Sequence, residues 1–158
     1  MVKLPSTLTE IELDYFSVSN NHIASLPNFS QNENNNKIQV FDLSHNLLTK
    51  IENETFKNVK IDVLSLSNNK IHQISVLPLN VKKILLGSNN LSSQIQQLEY
   101  FSQNHPSLSY MDLSNNFLIG TFDLGNQNSF INFENNQNLK YNLIFYYFNI
   151  FYKILYSK

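Results

Sequence analysis

IDVLSLSNNKI, residues 61 to 71, decides how this chain folds. Apolar side chains stand at Ile61, Leu64, Leu66 and Ile71, polar ones at Ser65 and Ser67, and an asparagine pair, Asn68 and Asn69, lies just before Ile71. Alternation over Leu64-Ser65-Leu66 is that of a short strand with one buried face. An amide side chain both donates and accepts, which suits the corner where a strand's backbone groups lose their partners. A single stretch of this kind cannot bury its own apolar side, so it demands neighbours of the same design.

Four more copies flank it: LDYFSVSNNHI (13 to 23), IQVFDLSHNLL (38 to 48), VKKILLGSNNL (81 to 91) and LSYMDLSNNFL (108 to 118). All five fit L-x-x-L-x-L-x-x-N-x-L with apolar residues in the L places, where this composition would supply about one match or fewer by chance. The asparagines Asn21, Asn46, Asn69, Asn89 and Asn116 follow one another at intervals of 25, 23, 20 and 27 along the chain. A sixth, weaker copy, NSFINFENNQNL (128 to 139), keeps Ile131, Phe133 and Asn136 but has Asn128 and Asn138 in apolar places. In its pattern and period the chain resembles the leucine-rich-repeat family. The resemblance implies an α/β solenoid, a right-handed superhelix with a parallel concave sheet and mostly irregular convex returns. Stacking would bury Leu13, Ile38, Ile61, Val81 and Leu108 in one column and Val18, Leu43, Leu66, Leu86 and Leu113 in another. Asn21, Asn46, Asn69, Asn89, Asn116 and Asn136 would form a structural ladder along the corner.

The returns differ from repeat to repeat. In IENETFKNVK (51 to 60), Ile51 and Phe56 stand where the family's typical repeats place an apolar residue and a core phenylalanine. SQIQQLEYFSQNHPS (93 to 107) carries Ile95, Leu98 and Tyr100 or Phe101 at helical spacing and ends before Pro106, which predicts one convex-side helix. HQISVLPLN (72 to 80) is too short for a full helix and reads as extended. LSNNFLIGTF (113 to 122) looks like the turn of plant-type receptor repeats without the usual following proline. NFSQNENNNK (28 to 37) reads as a solvated loop.

Composition narrows the function. Twelve acids face eleven basic residues, all of them lysine, for a net charge of -1, so the cationic footprint of a nucleic-acid binder is missing. The absence of cysteine excludes disulfides, thiolate chemistry and cysteine-ligated zinc. Three glycines, Gly87, Gly120 and Gly125, cannot build a glycine-rich phosphate loop. His22, His45 and His72 fall at three different places of the repeat and do not converge as metal ligands would. Asp42 and Asp112 lie in non-adjacent repeats, and no catalytic motif assembles around them. The reading is therefore of a protein without catalysis or cofactor. The N-x-S/T sequons at Asn28, Asn53 and Asn90 number no more than 26 asparagines and 23 serines and threonines would produce at random.

In the family that the chain resembles, the outward places of the strands usually contact a protein. Here they form one column of Tyr15, Val40, Val63, Lys83, Tyr110 and Phe130, and a second of Ser17, Asp42, Ser65, Leu85, Asp112 and Asn132. The expected partner-binding residues are Tyr15, Val40, Asp42, Val63, Lys83, Leu85, Tyr110, Asp112 and Phe130. The function implied is protein recognition through the concave face. A piece of the ectodomain of a membrane receptor or adhesion protein is one alternative, and a truncated product with no role of its own is another.

The organisation expected is a capping segment over 1–12, the repeats over 13–139, and an aromatic tail over 140–158. MVKLPSTLTEIE, residues 1 to 12, lacks the apolar stretch of a signal peptide, which as written reads as cytoplasmic; a leader further upstream would place the chain outside the cell or at a membrane. The tail, KYNLIFYYFNIFYKILYSK, has polar residues at Asn142, Tyr146, Asn149, Lys153 and Ser157, one narrow stripe on an otherwise apolar helix. It reads as a cap on the last repeat, as the one segment able to meet a membrane, or as translated noncoding sequence. Residues 143 to 156 alone are short of the roughly 20 a membrane span needs.

Overall fold

The computed structural model describes residues 12–27, 29, 36–57, 59–78, 80–123 and 129–142. The strands are β1 (Glu12–Ser17), β2 (Asn36–Asp42), β3 (Lys50–Ile51), β4 (Val59–Ser65), β5 (Gln73–Ile74), β6 (Lys83–Leu85), β7 (Tyr110–Asp112), β8 (Ile119–Asp123), β9 (Phe130–Asn132) and β10 (Asn138–Asn142), and the helix α1 covers Ile95–Asn104. Six strands form one sheet in the order β1-β2-β4-β6-β7-β9, each pairing parallel with the next. This is a parallel β-solenoid with little helix. On the return side β3 pairs with β5 and β8 with β10, both parallel.

Register follows the repeat. Leu13 lies opposite Ile38 and Ile38 opposite Ile61; Phe16, Phe41, Leu64, Ile84, Met111 and Ile131 form a second inward row. Leu43, Leu66, Leu86 and Leu113 are fully buried in a third. The core is driest in the middle turns and wetter at the first and last, where Val18, Ile23, Ile131, Phe133 and Leu139 are half-buried.

The corner after each strand has a two-residue mechanism. The first residue of the corner pair takes a left-handed backbone, with φ of 56° at Asn20, 53° at His45, 56° at Asn68, 57° at Ser88, 52° at Asn115 and 58° at Asn135. Asparagine tolerates that region better than most residues, which is why the repeat so often reads Asn-Asn. The second residue is the ladder asparagine. Asn69 Nδ2 shares its hydrogens among Leu66 O at 3.0 Å and Ser67 O at 3.3 Å of its own turn and Leu43 O at 3.1 Å of the turn before. Its Oδ1 accepts Leu48 N–H at 3.0 Å, again from the turn before. Asn46, Asn89, Asn116 and Asn136 repeat this arrangement, each buried. Asn21, in the first described turn, keeps the bonds to Val18 O and Ser19 O and is exposed.

The returns vary around this constant corner. Ile51 and Phe56 are buried, and Phe56 closes an aromatic cluster with Phe41 and Phe29 at ring distances of 6.4 and 6.3 Å. Phe29 and β2 correct the expectation of a solvated loop over 28–37. Phe29 packs on Phe41, while Asn36 and Lys37 belong to β2 because they pair with Val59 and Lys60 of β4; 28 and 30–35 lie outside the described residues. The helix α1 forms where its spacing predicts, burying Leu98 and Phe101 and leaving Tyr100 57% exposed, and its Glu99 carboxylate accepts the Asp123 N–H of β8. Within residues 72–78, Gln73–Ile74 form the strand β5. The turn at 119–123 is the strand β8, where Gly120 has φ of 116°, which a side chain would strain. Residues 1–11 and 143–158, which hold nearly all of the expected amino-terminal cap and most of the aromatic tail, lie outside the described residues; β10 takes in the first three tail residues.

The ladder predicts an asymmetry between neighbours. Asn69→Ala strands several buried groups at about 1 to 3 kcal/mol each, so a loss of about 3 kcal/mol or more is expected in urea unfolding. Asn68→Gly, which keeps the left-handed corner, should stay within about 1 kcal/mol of wild type. Equal midpoints for the two variants would refute this division of labour.

Candidate functional site

Successive strands lie about 4.8 Å apart, so any position of the repeat becomes a continuous row across the sheet. Tyr15, Val40, Val63, Lys83, Tyr110 and Phe130 are direct register partners, one per strand. Tyr15 is 60% exposed and Phe130 40%, whereas Val40, Val63 and Tyr110 are half-buried by their neighbours. Tyr110 and Phe130 stack with ring centroids 5.7 Å apart and planes within 6°. Burial raises the Tyr110 phenol above its ordinary value, Asp112 adds to that, and a hydrogen bond with Asn132 opposes it. The hydroxyl therefore stays neutral and able to donate. Lys83, exposed, is the one charge in this row.

The second row, Ser17, Asp42, Ser65, Leu85, Asp112 and Asn132, is also in register. Four of its side chains turn back to their own backbone. Ser17 Oγ accepts Ser19 N–H at 3.2 Å, Asp42 Oδ1 accepts Ser44 N–H at 3.0 Å, Asp112 Oδ1 accepts Ser114 N–H at 3.0 Å, and Asn132 Oδ1 accepts Glu134 N–H at 3.1 Å. These local turns bend the strand toward its corner. Asp42 also accepts from the Tyr15 hydroxyl at 3.3 Å, and Asp112 from Asn132 Nδ2 at 3.1 Å. Part of the acceptor capacity of both expected binding aspartates thus serves the fold. The spacing of Ser, Asp or Asn two places before Ser19, Ser44, Ser114 and Glu134 carried that signal in the sequence.

A third feature went unread there. The residues that open the strands form a charged rim, with Lys37 on Glu12 at 2.6 Å, Gln39 Nε2 on Asp14 at 2.6 Å and Lys82 on Asp62 at 2.9 Å. These exposed pairs join consecutive turns and contribute little stability individually. His22, His45 and His72 are exposed at different heights of the corner, and Asn68 Nδ2 lies 3.4 Å from His45 Nε2. Among the described residues no three metal-ligating side chains gather, and no helix is long and apolar enough to cross a membrane. No protein-family model matches the sequence, and no curated protein is similar to it.

Asp42 makes the face sensitive to pH. Burial pushes its carboxyl up, but hydrogen bonds from Ser44, Tyr15 and Ser65 outweigh burial and hold it below the ordinary aspartate value. A depressed folded value adds stability above the unfolded value, and that contribution is lost as pH falls through the folded one. Asp42→Asn should therefore lower the urea midpoint at neutral pH, with the gap from wild type closing on acidification. A gap that persists below the folded carboxyl's value would place the stabilisation elsewhere.

Proposed function

We propose that this chain is a non-catalytic recognition module that takes a protein partner on the open face of its six-stranded sheet. In this reading the solenoid is of the leucine-rich-repeat kind, right-handed, with that face concave; the five recurrences of the pattern and the asparagine at every corner support it. The observation that carries the functional reading is the outward row Tyr15, Val40, Val63, Tyr110 and Phe130, interrupted only by Lys83. Strand propensity accounts for valine and tyrosine in a sheet. It does not account for exposed rings, Tyr15 at 60% and Phe130 at 40%, at the two ends of a row in which Val40, Val63 and Tyr110 are half-buried, which suits an interface centre. The second row supplies polar groups beside it, as the rim of such an interface requires.

Exposed aromatic anchors dominate interface energy. With a partner isolated on the immobilised chain and identified by mass spectrometry, Tyr15→Ala plus Tyr110→Ala should weaken its affinity at least about 100-fold and leave circular dichroism unchanged. Tyr100→Ala removes an equally exposed ring from α1 and should leave affinity as it was. Unfolding of the double variant would make the tyrosines structural, and unchanged affinity would move the site off this face.

A further inference from the structure

The row that carries the recognition reading is apolar except at Lys83, and a charge covered by an interface needs a partner there. Lys83 lies opposite Tyr110 and Leu85 opposite Asp112, so the four make a quartet whose diagonals each join residues about 8 Å apart. One diagonal, Lys83 to Asp112, has opposite charges, and the other, Leu85 to Tyr110, is apolar. The two charges do not meet within the chain. Asp112 Oδ1 accepts Ser114 N–H at 3.0 Å and Asn132 Nδ2 at 3.1 Å, while Oδ2 leans over Gly87, four residues past Lys83, where a Cβ would stand 3.2 Å from it. Serine occupies that place in four other repeats, as Ser19, Ser44, Ser67 and Ser114. Among the described residues Lys83 makes no ion pair, and no side-chain donor bonds Asp112 Oδ2. Asp42, in the same row, differs: its Oδ2 takes the Tyr15 hydroxyl at 3.3 Å.

We propose, resting on the open-face reading above, that the partner is a second copy of this chain, laid face to face about a twofold axis that follows the Leu85–Tyr110 diagonal. A twofold axis in the plane of contact mirrors the face across itself. Lys83 of each copy then meets Asp112 of the other, and Leu85 and Tyr110 meet their own counterparts. The quartet is therefore its own complement, with two ion pairs closing an apolar centre that Val63 and Phe130 extend along the row. An unrelated protein would need a base and an acid on the matching diagonal, whereas a copy has them by construction. Asp112 gives Oδ2 to this pair while Oδ1 goes on bending its own strand. An axis oblique to the strands makes the two sheets cross steeply, as in orthogonal sheet packings.

Sedimentation equilibrium on the full chain tests the proposal. The wild type should dimerise, and Lys83→Glu and Asp112→Lys should each weaken the dimer at least about 100-fold, because either change sets like charges against each other at two places. Mixing the two variants should return the dimer to within about tenfold of wild-type affinity, since both contacts between the unlike chains again join opposite charges. Asp112→Lys also takes an acceptor from the Ser114 turn, so a second pair, Leu85→Arg and Leu85→Glu, makes the same test at a side chain without hydrogen bonds. Each of these alone should be monomeric, and their mixture should dimerise; if Asp112→Lys loses its circular dichroism, this pair decides. A wild type that stays monomeric up to millimolar concentration overturns the proposal. So does a dimer whose affinity is unchanged by Lys83→Glu, or a mixture of the Leu85 variants that stays monomeric. The open-face reading is decided separately, by the affinity of an isolated partner for the Tyr15→Ala plus Tyr110→Ala variant.

Discussion

From the second described turn onward, a side-chain amide holds each turn of this protein to the turn before it. The ladder asparagine donates to carbonyls of its own corner and of the preceding turn, and it accepts an N–H from the preceding turn, as Asn89 does with Leu86 O, Leu66 O and Ile71 N. These backbone groups lie where the strand has ended, so the sheet cannot pair them, and burial keeps water from them. A leucine would leave all of them orphaned, and a serine would serve fewer. Main-chain bonds continue the same clamp on either side, from Leu66 N to Leu85 O and from Asn90 N to Ile71 O.

Because the clamp sits at the corner, the returns are free to differ. One contains a phenylalanine cluster, one a helix and others short extended pairs, while strand register does not slip. A slip of one residue would carry every leucine to the open face. Constant register also makes the open face a set of straight rows. The row nearer the corner is partly occupied with bending the chain, through Ser17, Asp42, Asp112 and Asn132, and the strand-opening row is neutralised by ion pairs between turns. The row between them has the aromatic and aliphatic side chains, with Tyr15 donating to Asp42 and Tyr110 stacked on Phe130. Recognition is proposed through Tyr15, Tyr110 and Phe130 rather than chiefly through the aspartates because of this difference between the rows.

The repeat was legible because its signals are local. Alternation over Leu64-Ser65-Leu66, the asparagine at the third place after Leu66 and the near-regular return of that asparagine specify strand, corner and stacking neighbour without reference to distant sequence. The helix over Ile95–Asn104 was legible for the same reason, through apolar spacing and Pro106 beyond its end. The solvated-loop reading of 28–37 failed at Phe29, Asn36 and Lys37, because asparagine content signals a loop only until packing and pairing partners are present. Phe41 and Phe56, the rings that Phe29 meets, belong to later stretches of the chain, a pairing that no local pattern reports.

The order of polar and apolar residues within one repeat specifies the six strands of the main sheet, the inward residues of its middle turns, the corner asparagines and the outward rows. The return-side pairs β3–β5 and β8–β10 were not read from it, and Leu13, expected to be buried, is 36% exposed. What each residue meets from the neighbouring turns was set by the tertiary structure. Asp42 receives the Tyr15 hydroxyl from the neighbouring strand, Lys82 is held by Asp62, Tyr110 stacks on Phe130, and Ile131 stays half-wet while Met111 is dry. Each of these is set by contact between turns, and a repeat read alone has no neighbour against which to show it.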